Sequence, residues 1–149
     1  MAYLLDTNIL LRLANGADAS HGIADRAVTR LHLRGEILHV TPQVMIELHS
    51  SATRPVSARG LGLPVAEAER LAPIFAARFP LLEDTAAIYP AWRSLVSALG
   101  VIGRQVHDAR LASVCHAHAV THVLTFNVAH FQRLATHPPG LVVVDPATV

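Results

Sequence analysis

Residues 1–16 read MAYLLDTNILLRLANG, and the passage from Leu5 into Asp6 decides how the rest of the chain is read. Tyr3, Leu4 and Leu5 form a short continuous apolar run, the pattern of a strand buried on both faces. Asp6, Thr7 and Asn8 interrupt it with three polar side chains. Asn8 to Ala14 then reads as a short helix closed by Asn15-Gly16. A strand that runs directly into a helix is the opening of a parallel α/β unit. The carboxylate at the junction has two accounts. It caps the helix, or it stands at the rim of a sheet, where ligands of open parallel sheets bind.

Outward from this stretch the alternation continues. Ala19 to Arg34 sets Ile23, Ala27, Val28 and Leu31 on one helical face and Arg26, Arg30 and Arg34 on another, and Gly35 stops it. EILHV (36–40) is a second strand. Thr41-Pro42 is a helix start, with a capping hydroxyl followed by Pro in the first turn, and the helix runs to about Ala52. RPVSARGLGLP (54–64) is a loop, and Val65 to Phe79 is helical. Pro80-Leu81-Leu82 is a short third strand. Thr85 to Leu99 has a helical pattern in which Pro90 either makes a kink or marks the true start. Gln105 to His118 is a helix, THVLTF (121–126) a fourth strand, Asn127 to Leu134 a short helix and LVVVD (141–145) a last strand. Short apolar strands alternating with helices predict an α/β fold with a parallel sheet covered on both faces.

At 149 residues the chain has the length of one domain, and with 52% apolar against 15% charged residues it has ample material for a core. Its mean hydropathy of +0.38 comes from alanine-rich amphipathic helices, because no apolar run approaches the length of a membrane span. The first residues lack a basic leader, and Asp6 breaks any signal core, so a cytoplasmic protein is expected. Cys115 is the only cysteine, which excludes an internal disulfide and a paired-cysteine zinc site. The net charge of +1 neither demands nor forbids a nucleic-acid partner, and all twelve basic residues are arginine, a bias of composition.

Asp6, Asp84 and Asp145 each follow a strand, and Asn127 follows another. Glu47 lies on a polar helical stripe with Gln43, Ser50 and Arg54, opposite Val44, Leu48 and Ala52. Asp108 falls in the first turn of its helix, where the dipole favours a carboxylate. Each acid has an ordinary explanation as a cap, a solvated face or a dipole partner. His116, His118 and His122 are close in sequence, but a helix ending near His118 scatters them, which argues against zinc.

LLDTNILL (4–11), TPQVMIELHS (41–50), VHDARLASV (106–114) and LTFNVAHF (124–131), in this order and spacing, resemble a PIN domain, and more narrowly the VapC-type toxins of bacterial toxin–antitoxin pairs. The resemblance covers nearly the whole chain and implies a single PIN-like domain over residues 1–149. It implies a three-layer sandwich whose five-stranded parallel sheet has the order 3-2-1-4-5. Strands 1 and 4 are then neighbours, so Asp6 and Asn127 face one crevice. Asp84 and Asp145 fall further out and take turn and capping roles. The implied activity is a Mg²⁺- or Mn²⁺-dependent endoribonuclease, the toxin of a type II pair, leaving a 5′-phosphate and a 3′-hydroxyl.

On this reading Asp6, Glu47 and Asp108 are the catalytic and metal-holding residues. Clustered carboxylates repel one another unless a cation intervenes, and hard oxygen donors select Mg²⁺ or Mn²⁺. Asn8, Thr125 and Asn127 would orient carboxylates or water. The expected partners are RNA, a VapB-like antitoxin and a second copy of the chain. An amphipathic antitoxin helix would lie in a groove at Leu10, Leu11 and Leu13, and Met45 and Ile46 of the helix from Thr41 and Leu71, Ile74 and Phe75 of the one after Pro64 are further apolar surface for partners. The chain departs from the family pattern around the last motif, where Asn127 is neutral and His130 stands where relatives often carry an acid. That departure motivates an alternative, a catalytically weak PIN domain that mainly binds RNA or protein. A generic nucleotide-binding domain ranks last, because DTNILL stands where a Gly-rich phosphate loop would be needed.

Overall fold

Four short apolar runs form adjacent parallel strands, the central two largely buried and the two at the edges partly exposed. A computed structural model describes residues 1–149. Along the chain they run β1 (Ala2–Leu5), α1 (Thr7–Ala14), α2 (His21–Leu33), β2 (Ile37–His39), α3 (Pro42–Thr53), α4 (Val65–Arg78), α5 (Ile88–Leu99), α6 (Gln105–Ala117), β3 (His122–Leu124), α7 (Val128–Ala135) and β4 (Val142–Val144). The sheet order is β2-β1-β3-β4, all parallel, with Tyr3 opposite Leu38 and His122, and Val123 opposite Val143. Leu4, Leu5, Leu38, Val123 and Leu124 lie in one core of 29 buried residues, with Ile9, Leu10, Val44, Leu48, Leu111 and Phe131 from the helices.

The expected fifth strand shrinks to a single bridge. Leu81 pairs with Val40 beyond β2, where Val40 N donates to Pro80 O and Leu82 N donates to Val40 O. Pro80 has no N–H to extend the ladder, and Glu83 and Asp84 follow at once. The strand order expected from the resemblance is otherwise kept. Pro90 resolves as a start marker, because α5 begins at Ile88 and holds Pro90 in its first turn, where no donor is missed. Gly100 ends that helix in the left-handed conformation at φ 57°. Thr41 caps α3, its Oγ1 accepting from Val44 N at 3.1 Å.

The apolar ring of α1 is absorbed internally. It packs against α2 and α3, leaving Leu10 fully buried and Leu11 and Leu13 half-buried against the core. Leu10 therefore cannot line an external groove. Exposed apolar side chains stand instead on α3, at Ile46, and on α4, at Val65 and Ile74. No helix is long and apolar enough to cross a membrane.

Candidate active site

Because β1 and β3 are neighbours, their carboxyl ends open together, and Asp6 N still donates to Leu124 O at 3.1 Å. The chain then leaves both strands for helices. The gap between them, walled by α3 and α6, is a cleft of about 540 Å³. Asp6, Glu47 and Asp108 all line it, from β1, the middle of α3 and the first turn of α6. Leu11 is the only apolar side chain on its walls.

Asp6 stands at the N-cap position of α1, yet its side chain makes no capping hydrogen bond. It is 4% exposed, and Oδ2 instead accepts from Thr125 Oγ1 and from Asn8 Nδ2, each at 2.6 Å. The Thr125 hydroxyl also accepts from Asn8 Nδ2 at 3.1 Å and from Asn127 N at 2.9 Å, so its one donor and both lone pairs are used. Asn8 Oδ1 accepts from Phe126 N at 3.2 Å, tying the start of α1 to the end of β3. Burial pushes the Asp6 carboxyl up to about 6. The Thr125 hydrogen bond pulls against that rise, and the negative charges of Asp108 and Glu47 add to it.

Glu47 is held at both oxygens. Thr7 Oγ1 donates to Oε2 at 2.7 Å and Gln43 Nε2 donates to Oε1 at 2.8 Å. Burial raises the Asp108 carboxyl as well. His130 acts against this, with Nδ1 at 3.4 Å from Asp108 Oδ2, and the charge of Glu47 adds to it. Three carboxylates thus share one cleft, and the charge of Glu47 adds to the rise of both Asp6 and Asp108. Oxygen-only donors of this kind suit a hard divalent cation. In the arrangement described, no group of three ligating side chains is gathered onto a common point.

The sequence matches the PIN domain family over residues 3–136. The chain belongs to the PIN domain family. Among curated protein sequences none matches it. Solved structures similar to this PIN domain include VapBC2 of Rickettsia felis bound to a promoter DNA fragment. That similarity has a TM-score of 0.73 at 20% identity and covers 97% of this chain and 98% of that one. VapBC-1 of nontypeable Haemophilus influenzae gives 0.70 at 24% identity, covering 98% of each chain. VapC20 of Mycobacterium tuberculosis, a toxin that cleaves the sarcin–ricin loop, gives 0.62 at 20%, covering 87% of this chain and 93% of that one. At such identities these structures share the fold with this PIN domain.

Of the residues expected to orient the site, Asn8 and Thr125 touch Asp6 directly. Asn127 lines the cleft but reaches the network only through its backbone N–H. Asp145 caps the turn at Pro146, accepting from Ala147 N at 2.9 Å, as expected. Asp84 does not cap. Its Oδ1 accepts from Arg110 Nη2 at 2.7 Å, because α6 presents Arg110 toward the loop that follows Leu82. The three histidines scatter: His116 stacks on His137, His118 contacts Glu83 O, and His122 lies against Tyr3.

Two contributors were missed. Thr7, between two assigned residues, lies outside the helix that the sequence starts at Asn8; the structure makes it the first residue of α1, and only the approach of α3 gives it Glu47. Arg104, just before α6, lines the cleft although nothing in its local pattern separates it from the other arginines.

Proposed function

We propose that this PIN domain is a divalent-cation-dependent endoribonuclease acting as the toxin of a toxin–antitoxin pair. The observation that carries the reading is the convergence of Asp6, Glu47 and Asp108, from three separate segments, on one polar cleft. Family membership and the VapBC character of the similar structures support it.

Asp6, Glu47 and Asp108 would hold Mg²⁺ or Mn²⁺ directly or through water. When bound, such a cation supplies a more acidic water and positive charge against the pentacoordinate phosphorus. Thr125 and Asn8 hold the Asp6 carboxylate at the cleft, while Thr7 and Gln43 hold both oxygens of Glu47. Arg54 and Arg104, on the same walls, offer guanidinium groups to the phosphates of the strand. Hydrolysis by attack of water leaves a 5′-phosphate and a 3′-hydroxyl. The partners on this reading are a VapB-like antitoxin and a second copy of the chain. The exposed Ile46 and Ile74 and the half-buried Leu11 and Leu13, rather than Leu10, would offer apolar contacts to an antitoxin helix.

The test is RNA cleavage with Mn²⁺ or Mg²⁺, with a chelator, and in the Asp6→Asn variant. Cleavage that needs the cation and is lost in a folded Asp6→Asn protein supports the reading. Wild-type cleavage in the chelator, or by Asp6→Asn, overturns it. A second reading, a weakly catalytic binding module, is favoured by the His130–Asp108 contact and by the neutral Asn127. RNA binding without cation-dependent cleavage would select it.

A further inference from the structure

Beside the carboxylate cleft lies a pocket of about 360 Å³ with the opposite character. Ile88, Tyr89, Trp92 and Val106 give it apolar walls, and Asp84, Thr85, His107 and Arg110 supply its polar groups. His107 lines both this pocket and the cleft, so the two adjoin. Trp92 is held in place by its own indole N–H, which donates to Val106 O at 2.8 Å and ties α5 to the start of α6. Tyr89, nearly one turn earlier on α5, stacks on it with ring centroids 5.9 Å apart and planes 19° from parallel. Tyr89 is nevertheless 64% exposed, so an ordered aromatic ring is offered to solvent beside the cleft.

The polar groups of this pocket are wired to the carboxylates. Arg110 donates through Nη2 to Asp84 Oδ1 and through Nη1 to Gln43 Oε1 at 3.0 Å. Gln43 Nε2 in turn donates to Glu47 Oε1 and to His107 O at 3.0 Å. One chain of hydrogen bonds therefore runs from Asp84 to Glu47 and fixes the pocket relative to the cleft. An ion pair alone at the surface needs no such connection.

We propose that this pocket is a base subsite, taking an unpaired nucleobase of the RNA strand whose phosphodiester enters the carboxylate cleft. The proposal rests on the ribonuclease reading given above. Single-stranded RNA is recognised by stacking unpaired bases on aromatic rings and by hydrogen bonds to their edges. Tyr89 and Trp92 supply the stacking surface. The remaining guanidinium donors of Arg110 and the second oxygen of Asp84 supply both kinds of hydrogen-bonding group for a base edge. Arg54 and Arg104 in the adjoining cleft fit the phosphates of the same strand. A base seated here sets the register of the phosphodiester against Glu47 through Arg110 and Gln43.

Trp92 is the only tryptophan, so its emission reports on the pocket directly. The experiment titrates a short single-stranded oligoribonucleotide into Asp6→Asn protein with Mg²⁺ present, and follows cleavage of the same strand by the wild type. The expected result is saturable quenching of Trp92. Adding Tyr89→Ala should weaken binding about 5- to 100-fold, the loss typical of one stacked base, while Tyr89→Phe should bind as Asp6→Asn alone. A strand of the same length with abasic positions should bind both backgrounds equally. If wild type cleaves the strand but Tyr89→Ala costs no affinity, the subsite is overturned and the ribonuclease reading stands. If Trp92 is quenched on Tyr89-dependent binding yet wild type never cleaves, the base subsite stands and the ribonuclease reading falls. If RNA is neither bound nor cleaved, both fall. Emission that follows protein concentration and ignores RNA assigns the pocket to a second copy of the chain and overturns the proposal.

Discussion

Asp6 is buried beside two other carboxylates without a basic partner, and its raised affinity for a proton is a statement about stability. In the unfolded chain it ionises near 3.8; in the fold, at about 6. The group is bound more tightly to its proton when folded. Its contribution is therefore fully present below about pH 4 and is lost as pH rises through 6. Above that, the ionised side chain costs the cation-free fold about 3 kcal/mol. Asp6→Asn keeps the shape and an acceptor for Thr125 and removes the charge. Thermal melts in chelator should show the variant several degrees more stable than wild type at pH 7.5, the gap closing near pH 4. Equal or lower stability at pH 7.5 would mean Asp6 is not electrostatically strained. Asp108 has a different constraint, since His130 Nδ1 lies 3.4 Å from it and, when protonated, competes for the oxygen a cation would use. Asn127 lines the same cleft with a neutral side chain. Asn127→Asp should tighten Mn²⁺ binding by calorimetry and lower the Mn²⁺ needed for half-maximal cleavage. Unchanged affinity would show that side chain to be turned away from the cation.

At the scale of elements, α3 carries the largest local debt, because it must present Glu47 at mid-length while burying Val44, Leu48 and Ala52. Its entry is fixed by Thr41, which is itself fully buried. Thr41→Ala should cost about 1 kcal/mol, the ordinary value of a lost cap, and lower Tm by about 2–4 °C. No change in a calorimetric scan would mean that core packing alone sets the start of α3. This cap was legible in Thr41-Pro42 because capping is a local event. So were the four strands, whose continuous apolar runs need no knowledge of their neighbours. Leu81 was legible only as apolar; its reduction to one bridge depends on Pro80 lacking a donor and on the polar residues that follow. The apolar ring of α1 was misleading for a related reason. Ile9, Leu10, Leu11 and Leu13 have no single face in the sequence, and only the packing of α2 and α3 shows that the helix is covered on several sides. At the site, Asp6 with Asn8, Thr125 and Asn127 followed from strand ends and the resemblance. The contacts of Thr7 with Glu47, and of Arg110 with Asp84 and Gln43, join segments far apart in sequence, and no local pattern announces them.

For the whole molecule, the parallel sheet does one thing that no element does alone. It brings the ends of β1 and β3 together and sets α3 and α6 beside them, so that burial of a core of 29 residues is coupled to the placing of three carboxylates on one cleft. Folding supplies the energy that holds these charges in proximity, and a bound cation should return part of it. A ligand that binds only the folded chain stabilises it by RT ln(1 + [L]/Kd), about 2.7 kcal/mol at a hundred times Kd. For a chain of this size that is a rise in Tm of about 5–10 °C. Mn²⁺ should therefore raise Tm at pH 7.5 and should do so far less in Asp6→Asn, which removes the proposed ligand and its charge together. The pH dependence follows from the same group. A cation held by Asp6 as proposed would displace its proton, so apparent affinity should be level above pH 6 and fall about tenfold for each pH unit below it. Differential scanning calorimetry at matched Mn²⁺ across that range measures both effects. A Tm indifferent to Mn²⁺ would remove the cation site. A Tm that rises equally in Asp6→Asn would place the cation elsewhere in the molecule.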